Sequence, residues 1–548
     1  MNPPTEVNLN QPQAGASIPH QQQLQSTVAA TRQIVHGETF PLDIIPFVNR
    51  CIQFDSSRIH PITALNQAVT RPQRIHALQT ALHVFSHKNS ELHNYEVDCG
   101  AANALCLKLG YIYRGEWEEM DMILSTLQCV YSGCAKDRLL RSFREIGQSE
   151  LLPLLGQVLF RVQSDLSAET VLLRVIVLLR IFAKLEPCKH SLIVTNGLME
   201  SMATLLQQTR DHVVIKWELL GCFKDLSFRS RNQDRELLFN TPSLIPTLVQ
   251  LTTTSGDYTY VAAIWWNFAL FPPLANIMAQ TNEILESIHL LLLSQSIKAR
   301  RSALSALGNL ASHSAAHAHI IPICMEALQC IVLQDNDLDC QRRAMRTIRC
   351  LAITFSQQEG FLEFLVEVIV ADNSHVDTMV HALESMAFMA QQVELRSRLV
   401  TALLTAVEVA TEPKITIVAC RTLLSIPDQP TLSSRISEAF LTSLETASKD
   451  LKDKEHLEII SKLLVTLSDE RSEKLMTIPV MNILALLASR SNDIMRVIYV
   501  MAETKANRRP MAGHDALVSS VVSFALSTSE GPEKENAKTL ILKLVTEL

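Results

Sequence analysis

The sequence predicts an all-α fold of stacked helices, a solenoid, and three observations carry that prediction. A short phrase recurs at nearly equal spacing, most clearly as Trp265-Trp266-Asn267-Phe268-Ala269 and Ala306-Leu307-Gly308-Asn309-Leu310-Ala311, with Asn267 and Asn309 42 residues apart. Within each copy a small or apolar residue is followed at +4 and +7 by apolar residues and at +8 by a small one, which puts them on one helical face. Composition agrees: with 5% aromatic residues and 15 glycines in 548, the chain is poor in what sheets and turns need. A helical unit of this length cannot bury its apolar face alone, so it stacks on its neighbours around one continuous core.

Taken in order, residues 1–36 form a polar segment rich in Pro, Asn and Gln, including Gln21-Gln22-Gln23, and are expected to be disordered. Residues 37–548 are expected to form a single continuous stack with irregular terminal units. Each unit reads as three helices. In Lys189–Leu206, Gly197 is placed to take the left-handed conformation that ends the first helix, and Leu198, Met202, Leu205 and Leu206 give the stripe of the second. A similar opening occurs at Glu96–Leu105. Another spans Asn232–Leu251, without the glycine but with Pro242 and Pro246 as breakers. The long third helix carries the recurring phrase, as in Val175/Leu179/Ile181/Phe182/Ala183, Leu219/Phe223/Asp225/Leu226/Ser227, Ala303/Leu307/Asn309/Leu310/Ala311, Ala344/Ile348/Cys350/Leu351/Ala352 and Ala382/Met386/Phe388/Met389/Ala390. The shorter intervals between positions 350 and 425 predict two-helix units there. A longer one before Val175 predicts an insertion around Arg141–Glu150.

The residues Ile193, Gly197, Leu205, Leu206, Ala303, Ala306, Leu307, Asn309, Leu310 and Ala311 resemble the pattern of armadillo repeats. The likeness runs from about Arg74 to Glu503 and is tightest between 175 and 390. It implies a right-handed superhelical α-solenoid of about 10–12 armadillo/HEAT-like repeats. It also implies a concave groove, lined by the third helices, in which the asparagine of the phrase meets the backbone of an extended peptide.

Several function classes are disfavoured. A net charge of −7 argues against a general nucleic-acid binder. The 12 cysteines contain no Cys-x-x-Cys and sit mostly in apolar helical text, as expected of reduced core-filling thiols in a cytoplasmic or nuclear protein. Neither a signal peptide nor an uninterrupted apolar span is visible, and the run Leu290–Leu293 reads as a buried helix turn. Phosphate-loop, zinc-protease, hydrolase and kinase phrases are missing, so no catalytic residue, cofactor or metal is assigned. His313 and His317 share a helical spacing but lack further ligands. Glu116-Trp117-Glu118-Glu119 and Glu533-Lys534-Glu535-Asn536 read as solvated helix ends.

The expected function is a non-catalytic scaffold or adaptor that binds an extended, acidic segment or helix of a partner protein in the groove. The residues assigned to that groove are Trp217, Trp266, Asn267, Arg301, Asn309, Arg342, Arg346, Arg421 and Lys462. The two asparagines follow from the resemblance, with capping or bridging between repeats as their alternative role. The bases lie four or eight residues before the central position of each phrase, and the alternative for them is neutralisation by Asp335, Asp337, Asp339 and Glu384. Of Trp265 and Trp266, which point about 100° apart, one is expected in the core and the other on the face. An importin-α-like nuclear transport adaptor is a second reading. Against it, Ala263 and Ser305 stand where that family has tryptophans, and the face is basic rather than acidic. A regulatory subunit of an enzyme complex is a third.

Overall fold

A computed structural model describes residues 64–546 apart from short stretches, the longest being 87–100, 145–150 and 163–167. The expected tail 1–36, the start of the stack at 37–63, the opening phrase at 96–100 and most of the expected insertion lie outside the described residues. Among the described residues the regular structure is helical throughout, and it falls into two compact units, one ending at Ser201 and one beginning at Met202.

In the first unit the helices Arg71–Ser86, Trp117–Gly133 and Glu169–Ala183 pack side by side in that order. Their apolar faces supply the buried Leu78, Leu124, Leu127, Leu179 and Phe182. Tyr131 and Phe143 lie against Phe182, with ring centroids 5.2 and 4.9 Å away. One expectation is overturned here. Glu119 is no solvated helix end: it is fully buried, and Arg74 grips it through Nε at 2.9 Å and Nη2 at 3.2 Å while Arg71 Nε stands 3.3 Å away. The arginines belong to the preceding helix of the row, some 45 residues earlier, so the local text Glu118-Glu119 did not reveal them. A buried carboxylate of this kind persists only because it is paired.

The second unit consists of two rows of helices. One row runs Val213–Ser227, Thr259–Ala269, Ile297–Ala311, Leu338–Phe355, Val376–Ala387, Pro413–Ser425, Lys454–Arg471, Asn492–Glu503 and Pro532–Val545, each packed on the next or, at its end, on the last. The first seven are third helices of the sequence reading, and the last two continue the row beyond them. The other row, of second helices, runs Leu244–Thr252, Asn282–Leu292, His317–Gln334, Phe361–Val370, Arg396–Glu408, Glu438–Lys449, Ile478–Leu487 and Asp515–Ser527. First helices are full at Asn232–Phe239 and Pro272–Gln280, then shrink to the single turns Ser314–Ala316 and Val393–Leu395. The shrinkage begins at Ser314–Ala316, one unit before the stretch between positions 350 and 425 where the shorter intervals predicted two-helix units, and Val393–Leu395 lies within that stretch. Ser314–Gln334 is long and apolar enough to cross a membrane by composition, yet half of it is buried, and it packs within the second row. In the run Leu290–Leu293 only Leu291 and Leu292 are buried, because the other two point out of the stack.

Three of the turns that lead into second helices share one device. Gly197 takes φ +71° and Gly360 φ +83°, each immediately before the second helix. In the unit without the glycine the same position is Ser243, at φ +64°. Pro246 is therefore not a breaker; it lies in the first turn of Leu244–Thr252, where its missing N–H costs nothing. A left-handed non-glycine residue costs about 1 kcal/mol or more. Ser243→Gly is thus expected to stabilise the protein by about 0.5–1 kcal/mol, read as a higher urea midpoint at unchanged slope. An unchanged or lower midpoint would contradict the shared-turn reading.

Candidate partner-binding face

Along the row of third helices, the residues left partly exposed recur at helical spacing, and they include most of those the sequence singled out. Trp265 is fully buried and donates its indole N–H to Ser287 at 3.0 Å, whereas Trp266 is half-buried, so the pair divides as expected. Trp217 is also half-buried. Its ring meets Tyr260 of the next helix edge-on at 4.3 Å, and Lys224 Nζ lies 5.1 Å over the Tyr260 ring while pairing with Asp225 at 2.8 Å. Tyr260 was missed by sequence reasoning because it falls one residue off the four-and-eight register.

Asn267 does not offer its amide to a ligand. It is buried, and Nδ2 donates to the Ser227 hydroxyl at 2.9 Å and to the Lys224 carbonyl at 3.3 Å on the preceding third helix. This is the bridging role between repeats. Asn309 is the counterpart one repeat on, and its Nδ2 is buried without a hydrogen-bond partner. The difference is legible in register: the residue 40 before Asn267 is Ser227, and the residue 40 before Asn309 is Ala269, which has no hydroxyl.

The basic stripe is threaded with acids. Arg301 makes a two-pronged pair with Asp337, at 3.0 and 2.6 Å, and stands 3.5 Å from Asp339. Asp339 also receives Arg342 at 2.6 Å and Arg343 at 2.8 Å. Further along, Arg349 pairs with Glu384 at 3.2 Å, Lys414 with Asp377 at 2.7 Å, Arg421 with Glu455 at 2.8 Å and Lys462 with Glu458 at 2.7 Å. All but the last join consecutive third helices. Arg421 and Lys462 are therefore both matched by carboxylates. The excess positive charge gathers at the junction of Ile297–Ala311 and Leu338–Phe355, where three arginines share Asp339 and the exposed side chains of Lys298 and Arg346 have no partner among the described residues.

These pairs shift the carboxylates. The hydrogen bonds from Arg301 hold the Asp337 carboxyl far below its ordinary range. Burial pushes Asp339 up, but Arg342 and Arg343 outweigh it and the net shift is downward. Lys414 lowers Asp377, and His381 followed by Arg349 lowers Glu384. His317, half of the spaced histidine pair, is buried with Nε2 2.9 Å from the Ala311 carbonyl oxygen and Nδ1 2.9 Å from the Thr354 hydroxyl. It links two helices of the stack. Among the described residues no group of three or more His, Cys, Asp or Glu is arranged to hold a metal ion.

No family model and no curated protein matches this chain. Among solved structures, the chain is similar to a crystal structure of an engineered protein, at 15% identity and TM-score 0.46 over 88% of this chain and 98% of that one. It is also similar to a structure described as showing that a conserved phosphorylation switch controls the interaction between cadherin and β-catenin, at 12% identity and TM-score 0.49 over 89% and 100%. Likenesses this distant carry no argument about function.

Two outcomes follow for the face. Asn267→Ala leaves the Ser227 hydroxyl without its bridge and is expected to lower stability by about 1–3 kcal/mol, whereas Ala269→Ser supplies Asn309 with an acceptor and raises it by about 0.5–1.5 kcal/mol. Chemical denaturation of both variants reads these shifts, and an Ala269→Ser protein no more stable than the parent would contradict the register argument. The lowered Asp337 carboxyl adds stability in full above its unfolded-state pKa of about 4, and that contribution is lost as pH falls through the lower folded-state value. Asp337→Asn, which keeps the helix cap on the Cys340 N–H, should flatten the stability profile below about pH 4. A profile parallel to the parent's in thermal melts between pH 7 and pH 3 would refute that assignment.

Proposed function

We propose that this protein is a non-catalytic interaction scaffold, built as an armadillo/HEAT-like solenoid, that binds an acidic extended segment of a partner protein along its third helices. The observation that carries this is the local charge imbalance. On a chain of net charge −7, Arg301, Arg342 and Arg343 converge on Asp337 and Asp339, and the exposed Lys298 and Arg346 stand on the same two helices. Arginine forks left with unused donors suit carboxylates, and the field of such a patch speeds encounter with an acidic segment. The bridged Asn267 and the matched Arg421 and Lys462 take a smaller part in this reading than the sequence suggested; Arg342 and Arg346 take the central one. We also place the protein in the cytoplasm or nucleus. The buried thiols of Cys324, Cys340 and Cys420, which fill the core as free cysteines, support that placement.

The test is the fluorescence anisotropy of a labelled peptide of eight glutamates titrated with the full chain. Binding should weaken steeply as salt rises, and Arg342→Glu/Arg346→Glu should weaken it about tenfold or more, since each exposed pair contributes about 0.2–1 kcal/mol. Equal binding by the parent and the double variant would overturn the proposal.

A further inference from the structure

Beside the basic junction lies a second feature that charge does not explain. On the two helices preceding Ile297–Ala311, the most exposed side chains are apolar, Val213 and Val214, beside the half-buried Trp217 and Tyr260, with Lys216, Glu218 and Lys224 partly exposed around them. Val214 is 58% exposed and lies one helical turn before the half-buried Trp217, whose ring abuts Tyr260 on the next helix. Trp266 is half-buried lower on that same helix. Four residues before each central position the row carries the small residues Gly221, Ala263 and Ser305. The ring of Tyr260 already carries Lys224 over it, at 5.1 Å. The cluster is therefore not a cage waiting for a cation, and what it has left to offer is the apolar flank made by Val214, Trp217 and the Tyr260 edge.

We infer that the partner segment is bipartite: a bulky aliphatic or aromatic anchor on the Val214–Trp217–Tyr260 patch, joined by a short extended spacer to acidic residues on Arg342 and Arg346. This rests on the proposed acidic-segment reading and adds to it an anchor and a spacing. Neighbouring helix axes lie about 8–10 Å apart, and two to three helix steps separate the patch from Leu338–Phe355, so the span is about 16–30 Å. An extended chain covers about 3.3 Å per residue, which makes the spacer about five to nine residues. Exposed ion pairs alone bind weakly, and a desolvated apolar contact at one end raises affinity through linkage to the other.

The probes are synthetic labelled peptides with four glutamates, a Gly/Ser spacer of one, seven or sixteen residues, and a terminal Leu-Phe or Gly-Gly. Added to the full chain, the seven-residue Leu-Phe peptide should bind about tenfold tighter than its Gly-Gly counterpart, and the other spacers should show a smaller gain. Trp217→Ala should erase the gain while leaving the Gly-Gly peptide unaffected. Val214→Ser, at an exposed position that does not endanger folding, should reduce the gain, with circular dichroism reporting the fold of both variants. If the glutamates bind through Arg346 but Leu-Phe adds nothing, or adds the same at every spacer, the bipartite inference fails and the acidic-segment reading stands. If no glutamate peptide binds, both fail.

Discussion

Everything in this structure depends on one constraint: a third helix buries its apolar face only against its neighbours, the third helices before and after it and the second helix of its own unit. In Ile297–Ala311 the buried Ala299, Ala303, Ala306, Leu307 and Leu310 are covered by Thr259–Ala269 on one side and Leu338–Phe355 on the other. Burial of each such side chain is worth about 1.5–3 kcal/mol for the larger residues, and it is available only in the stack. Small residues at the contact let the helices approach closely; Gly308 is an example, since a Cβ there would stand 3.2 Å from the Thr347 hydroxyl. Stability in such a row is close to a sum of neighbour terms, so polar bridges between neighbours act as its adjustable part.

Those bridges recur at the repeat interval. Asn267 reaches Ser227, Arg301 reaches Asp337, Arg349 reaches Glu384, Lys414 reaches Asp377 and Arg421 reaches Glu455, each spanning from 34 to 40 residues of sequence. A base on one helix thus often finds an acid on a neighbouring one, and much of what looks like a basic stripe is a lattice of pairs, across helices at Arg301, Arg349 and Arg421 or within one helix at Arg342, Arg343 and Lys462. Function is read from where the lattice fails to balance. The junction around Asp339 has more guanidinium groups than carboxylates, and the surface just before it carries an aromatic cluster of Trp217 and Tyr260.

The helical stack was legible because burial imposes a period: apolar and small residues at +4, +7 and +8 recur whether or not the polar residues between them do. The left-handed turn at Gly197 was legible for the same reason, since glycine is the residue that turn favours. Its counterpart at Ser243 was not, because the surrounding stack tolerates the strain and the sequence then shows only an ordinary serine beside two prolines. Polar roles were hidden by distance. Nothing near Glu119 announces Arg74, and nothing near Asn267 announces Ser227, because these partners lie a whole repeat away. Asn267 and Asn309 look alike in their own phrases and differ only through Ser227 and Ala269, so the recurrence that identified them concealed their difference. The candidate face was legible as a row of positions, but its division into a matched lattice, a basic junction and an aromatic patch needed the pairings themselves.

The central claim is that the unbalanced junction on the third-helix row is the face that meets a partner. Hydrogen–deuterium exchange of the full chain, with and without a saturating eight-glutamate peptide, tests it directly. The account predicts new protection in Ile297–Ala311 and Leu338–Phe355, abolished by Arg342→Glu/Arg346→Glu. Protection confined to the second-helix row, in Asn282–Leu292, His317–Gln334 and Phe361–Val370, would contradict it.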